Sequence, residues 1–339
     1  MSAAWFQERE AGSRALLRFM LFLYRSIGRP LCRVLLYPIA AYFLLVKPAA
    51  RAASLEYLGR VRPEITGWRR WWWSYRHFLE FARTLVAKVD AWTGAIPFSQ
   101  VEWIGKDAIR AHTNRGQGVL VLGAHLGNVE VMRALADGLP GLRVTALMLT
   151  AANPNFSEVL AEVNPEAQLR VIQTGAVSPD LIVQLQECLE RGELVSFLAD
   201  RVTPGSSHRT VGVPFLGEEA WFPEGPFILA ALLGCPVFLL FCLRMGPNRW
   251  RVVCEPFAAP LVLPRRDRSA ETRVVVARFA SRLEHYCREV PLQWFNFFSV
   301  WAQPDEAGGV RPRMPAPRTP ALDPHSVEDG PPPRSSGTG

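Results

Sequence analysis

From about residue 100 the chain alternates short, almost uninterrupted apolar runs with longer amphipathic ones. The runs GVLVLGAH (118–125), LRVTALML (142–149), LRVIQTG (169–175), ELVSFLAD (193–200) and PVFLLFCLR (236–244) predict strands, and RWRVVCEP predicts a last one. Between them GNVEVMRALAD, the stretch around FSEVLAEV, SPDLIVQLQECLERG and PEGPFILAALLG predict helices, with Ser178 and Asp180 at the start of the third. Residues 270–289 predict a long final helix. Alternation at this spacing predicts an α/β fold with a mixed, largely parallel central sheet flanked by helices. In open sheets of that kind ligands bind beyond the carboxyl ends of the strands. Chemistry is therefore expected in the loops after residues 123 and 199.

The first hundred residues follow another pattern. Arg14, Arg18, Arg25 and Arg29 fall within about 60° of one another on a helix turning about 100° per residue, with Leu16, Leu17, Phe19 and Met20 among the apolar residues between them. An apolar helix with an arginine stripe suits a bilayer surface, and Gly28 and Pro30 are expected to break or kink it. VLLYPIAAYFLLV (34–46) then runs without charge to Lys47, short of the roughly 20 residues a spanning helix needs. A marginal span, a helix lying flat on the membrane and an amphipathic core helix all stay open. Glu8 and Glu10 argue against a cleaved signal peptide. Trp68, Trp71, Trp72 and Trp73, interleaved with Arg69, Arg70 and Arg76, suit the headgroup zone, and core packing is nearly as good a reading. The expected organisation is an N-terminal membrane-associated helical segment (1–50), a helical aromatic-rich lead-in (51–100), an α/β catalytic domain (101–302) and a tail (303–339). That tail holds nine of the 28 prolines and is expected to be disordered.

Charge sharpens this division. The chain is +7 overall, and residues 1–90 carry 15 basic against 6 acidic side chains, so the remainder is slightly acidic. Basic side chains set among apolar ones point to an anionic membrane surface and away from nucleic acid. The six cysteines show no C-x-x-C and no metal-ligand spacing, which argues for reduced thiols buried as small hydrophobes and against zinc.

Candidate chemistry concentrates in GAHLGNVE. His125 stands just past a strand end and Glu130 five residues later. Within one helix the two would point about 140° apart, but with His125 in the loop and the helix starting near Gly127 and Asn128 the carboxylate can fold back to the imidazole. A carboxylate beside a histidine fixes its tautomer and raises its basicity, which suits removal of a proton from an alcohol or amine. A histidine merely satisfied at a helix start is the plainer alternative.

HLGNVE resembles the H-x-x-x-x-E/D block of the bacterial lysophospholipid acyltransferase superfamily, and most of all that of the lipid A late (lauroyl/myristoyl) acyltransferases. LADR (198–201), then VGVPFLGEEAWFPEGPFILAALLGCPVF, then PLQWFNFFSVW (291–301) resemble that family's later blocks in the same order, so the resemblance runs from about residue 15 to 302. Asn296 and Ser299 stand where the family usually has basic residues, and Val129 where it usually has tryptophan. FPEG (222–225) also looks like a phosphate-binding motif of glycerol-phosphate acyltransferases, although the block that follows directly leaves little room for a separate site.

The resemblance implies a membrane-bound acyltransferase of lipid A or glycolipid biosynthesis, on the cytoplasmic side of the cell inner membrane. Its donor would be an acyl thioester of acyl carrier protein or coenzyme A, its acceptor a lipid or glycolipid, with no metal or other cofactor. His125 paired to Glu130 would be the general base, and backbone N–H groups of Gly127 and Asn128 would receive the oxyanion. Arg201 could hold a phosphate of donor or acceptor, or pair with Asp200 or Glu219 at the sheet edge. A membrane-associated glycosyltransferase and a non-catalytic membrane scaffold of the same fold are the rival readings. Neither G-x-G-x-x-G nor D-x-D occurs to favour the former.

Overall fold

The computed structural model describes residues 28–92, 95–129, 131, 143–148, 171–173, 178–202 and 209–302. Glu130, the arginine stripe from Arg14 to Arg25, the helix expected around FSEVLAEV and the proline-rich tail lie outside the described residues.

The strands are β1 (Val101–Ile104), β2 (Val119–Gly123), β3 (Val144–Met148), β4 (Val171–Gln173), β5 (Leu194–Leu198), β6 (Thr210–Phe215), β7 (Glu218–Pro223), β8 (Val237–Gly246) and β9 (Arg249–Ala258). Seven of them form one sheet in the order β1-β9-β8-β2-β5-β3-β4. Every neighbouring pair in it is parallel except β8 with β9. The mixed, largely parallel sheet is as expected. All five residues of β2 are buried, because the strand is covered on both faces. Its alternate side chains serve two cores. Leu120 and Leu122 pack with Leu185, Phe227 and Phe279, which belong to helices α5 (Pro179–Glu190), α6 (Gly225–Leu233) and α7 (Arg268–Glu289). Val119 and Val121 pack with Ala87, Ala91 and Ile109 on the other face, from α3 (Gly67–Trp92) and α4 (Lys106–Thr113). Ser178 caps α5 by accepting the Leu181 N–H.

Two parts of the domain depart from the expectation. β1 and α4 open it with only four and eight residues, too short for a periodic signal. The segment VGVPFLGEEAWFP is an antiparallel hairpin, β6 with β7, turning at Leu216–Gly217. Both turn residues have positive φ, 52° and 87°, the geometry that two-residue hairpins favour. A leucine at the first turn position hides that hairpin from a search for Asn-Gly or Asp-Gly; here burial of Leu216 in the main core offsets the backbone cost.

The N-terminal helices are α1 (Arg29–Val46), α2 (Pro48–Val61) and α3. α1 starts at Arg29, directly after Gly28, with Pro30 in its first turn, where its missing N–H costs nothing; the helix that these two residues were expected to break lies outside the described residues. α1 and α2 meet at a 99° bend, and among the described residues no single helix is long and apolar enough to cross a membrane. α1 instead lays Leu36 and Ala40 against Phe78, Leu79 and Ala82 of α3 and against Phe295 and Phe297. Its other side exposes Leu31, Val34, Leu35, Tyr42 and Leu45. The tryptophan cluster divides in the same way. Trp68, Trp71 and Trp72 are exposed, while Trp73 packs against the main core. All six cysteines are free and buried, and burial pushes the thiols of Cys235 and Cys254 up to about 11 and about 12.

Candidate active site

The loops after β2 and β5 meet. His125 leaves the end of β2 and Asp200 the end of β5, two strands that pair directly. Asp200 Oδ1 lies 2.8 Å from His125 Nδ1, and Asp200 Oδ2 accepts the backbone N–H of His125 at 2.9 Å. Trp294 Nε1 donates to the same Oδ2 at 2.9 Å, and Asn296 Nδ2 approaches it at 3.3 Å. Asp200 is 1% exposed. Burial would raise its carboxyl, but the charge and hydrogen bond of His125, with Arg201 and the His125 amide, outweigh that and hold it below the usual range. Burial, with the Arg201 charge, lowers the His125 imidazole against the opposing pull of Asp200. An ionised carboxylate only accepts, so Nδ1 carries the proton and Nε2 keeps its lone pair. The His125 side chain is 26% exposed.

The C-terminal segment forms the other wall. Phe295 N donates to His125 O at 2.8 Å, Leu126 and Trp294 form an antiparallel bridge, and Gly127 bridges Cys242 of β8. At Gly127, φ is 74° and a Cβ would overlap the Cys242 carbonyl oxygen, so glycine is required.

This arrangement corrects the expected task of Gly127 and Asn128. Gly127 N donates to Gln293 O at 2.9 Å and Asn128 N to Cys242 O at 2.8 Å. Both N–H groups are engaged by main-chain carbonyls, so they shape the loop instead of receiving an oxyanion. The Asn128 side chain is likewise structural: Nδ2 donates to Thr84 O of α3, and Oδ1 accepts the Val131 N–H. Arg201 donates from Nε to Asn296 Oδ1 and from an Nη to Phe295 O, both at 2.8 Å, and its charge acts on Asp200. Glu219 faces Arg273. Asn296, at a position where the resembled family is usually basic, thus joins Asp200 to Arg201.

A buried relay connects the site to the N-terminal helices. Ser74 Oγ donates to Ser54 Oγ at 2.9 Å, Ser54 Oγ lies 3.0 Å from His77 Nδ1, and His77 Nε2 lies 2.9 Å from Trp294 O. The carbonyl only accepts, so His77 carries its proton on Nε2 and Nδ1 accepts from Ser54. Burial lowers the His77 imidazole to about 4. Between that value and the unfolded value near 6.5 the unfolded chain binds a proton that the native one refuses, so stability falls as pH drops through this window, by about 3 kcal/mol in all. Urea unfolding at pH 7 and pH 4.5 is expected to show this slope in the native sequence and a shallower one in His77→Gln. Equal slopes would show that His77 titrates normally in the fold.

Sequence reasoning missed Asp200, Trp294 and His77 as parts of the site. Asp200 had a signal, since it ends the apolar run ELVSFLAD at a strand's carboxyl end. His77 had none, being one polar position in a helix of aromatics.

A neutral histidine, its Nδ1 held by a buried carboxylate where two parallel strands end, is the equipment of an enzyme that takes a proton from an attacking nucleophile. The chain belongs to the bacterial lipid A biosynthesis acyltransferases, a family whose pattern matches residues 13–303. Comparison with curated proteins finds no match. The protein is accordingly an acyltransferase, and the glycosyltransferase and scaffold readings fall away.

Proposed function

We propose that the protein moves a fatty acyl chain from an acyl thioester, of acyl carrier protein or coenzyme A, to a hydroxyl or amine of a lipid A-type glycolipid. His125 Nε2 takes the proton from the acceptor as its oxygen or nitrogen attacks the thioester carbonyl. The tetrahedral intermediate then collapses, the carbon–sulfur bond breaks, and the thiolate leaves with a proton returned from the imidazolium. The observation that carries this reading is the buried, ionised Asp200 on Nδ1, which leaves Nε2 as the basic nitrogen. Glu130 is assigned to stabilising the imidazolium as it forms, and Arg201, with its guanidinium fixed by Asn296 and Phe295, to a phosphate of donor or acceptor.

The exposed apolar side of α1 and the exposed Trp68, Trp71 and Trp72 of α3 support a seat on the cytoplasmic face of the inner membrane. The chemistry requires no metal and no bound cofactor. With purified protein, a defined acyl thioester and a lipid A precursor, free thiol and acylated lipid are expected to appear one for one and to persist in EDTA. Strict dependence on a divalent ion, or thiol release without acylated lipid, would refute the proposal.

A further inference from the structure

The described residues hold a cavity of about 290 Å³, with neither His125 nor Asp200 in its lining, between α1, the C-terminal half of α3 and the β8–β9 turn. Arg33, Arg83 and Arg244 line it, with Asp90 the acid among its lining residues. The pairing of these cations is uneven. Glu80, buried behind the wall, takes both Arg244 and Arg83 on its single carboxylate. Arg33, in turn, donates to the neutral amide of Asn248 at 3.2 Å. Three guanidinium charges therefore stand against two carboxylates, which leaves a positive surplus at a concave surface, where a phosphate oxygen finds several N–H donors at once.

The rest of the wall is apolar. Leu36, Val86 and Ala87 line the same cavity, and Tyr37 sets its hydroxyl 3.2 Å from Arg83. The chain next to these residues is exposed and greasy: Val34 and Leu35 follow Arg33, and Leu85 lies between Arg83 and Val86. A cationic hollow with an apolar wall, on helices that show apolar side chains to the outside, has the make-up of a receptor for an amphiphile. A free anion would have no use for that wall.

We propose that this cavity binds the phosphate headgroup of a membrane lipid, at a site separate from the acyl-transfer centre. The lipid's phosphate is held by Arg33 and Arg83, its glycerol end lies along Leu36, Val86 and Ala87, and its chains remain in the bilayer. Arg244, tied to Glu80, shapes the floor. The proposal does not depend on the acyl-transfer mechanism, and its test reads binding alone.

The full-length protein in a non-ionic detergent is titrated calorimetrically with short-chain phosphatidic acid, with the matching phosphatidylcholine and with inorganic phosphate. Saturable binding of phosphatidic acid is expected, tighter than that of either comparison ligand. Arg33→Gln with Arg83→Gln is expected to weaken it about tenfold or more, since two charge-assisted contacts are lost. Arg265→Gln with Arg266→Gln removes the same charge from an exposed loop and is expected to leave it unchanged. Should the first double variant fail to fold, Arg33→Gln alone, which gives up the bond to Asn248, carries the test with a loss of several-fold. Equal weakening by both pairs would overturn the site in favour of general charge attraction. Phosphatidylcholine binding as tightly as phosphatidic acid, or inorganic phosphate matching the lipid, would overturn the lipid headgroup as its ligand.

Discussion

Asp200→Asn is expected to lower turnover by about 10²–10⁴-fold while leaving a folded protein, the range associated with losing a correctly poised general base. Asp200 accepts the His125 amide, His125 Nδ1–H and Trp294 Nε1–H, and Asn296 Nδ2 lies nearby. An asparagine offers one acceptor oxygen and must turn its NH₂ toward a group that itself donates. The conflict is relieved most easily at the imidazole, which can move its proton to Nε2 and accept from the amide on Nδ1. That tautomer has no lone pair where the acceptor's proton must go. Turnover and the ¹⁵N shifts of the His125 ring together check this: a large loss with the proton found on Nε2 is expected. A near-normal rate with the proton still on Nδ1 would show that Asp200 serves the fold alone.

The acidity of the pair sets the pH response. Burial and Arg201 hold His125 below its ordinary value, so the imidazole is neutral at pH 7, and turnover should fall only under more acidic conditions.

The strand-helix alternation and the position of His125 at a strand end were legible because buried parallel strands write themselves as unbroken apolar runs, as in VLVLG of β2. Glu130, favoured by its place five residues on and by the resemblance, lies outside the described residues. Asp200 was harder to read, since it arrives from 75 residues away through the pairing of β2 with β5. Only topology makes those two loops neighbours. Gly127 and Asn128 were misjudged for a related reason: their N–H groups are claimed by Gln293 and Cys242, and no local pattern announces such long-range bonds. The N-terminal helices showed their apolar character plainly, but a hydropathy pattern cannot tell which side of α1 meets α3 and which stays exposed.

The claim on which the rest depends is that His125 Nε2 removes the proton from the attacking acceptor. It is tested most directly by measuring single-turnover acyl transfer in purified His125→Ala, Asp200→Asn and the double variant, each shown to be folded. A loss of about 10²–10⁴-fold is expected for His125→Ala, with little further loss in the double variant, because Asp200 acts on turnover through the imidazole. A folded His125→Ala that transfers acyl chains at near the native rate, or losses that multiply in the double variant, would contradict it.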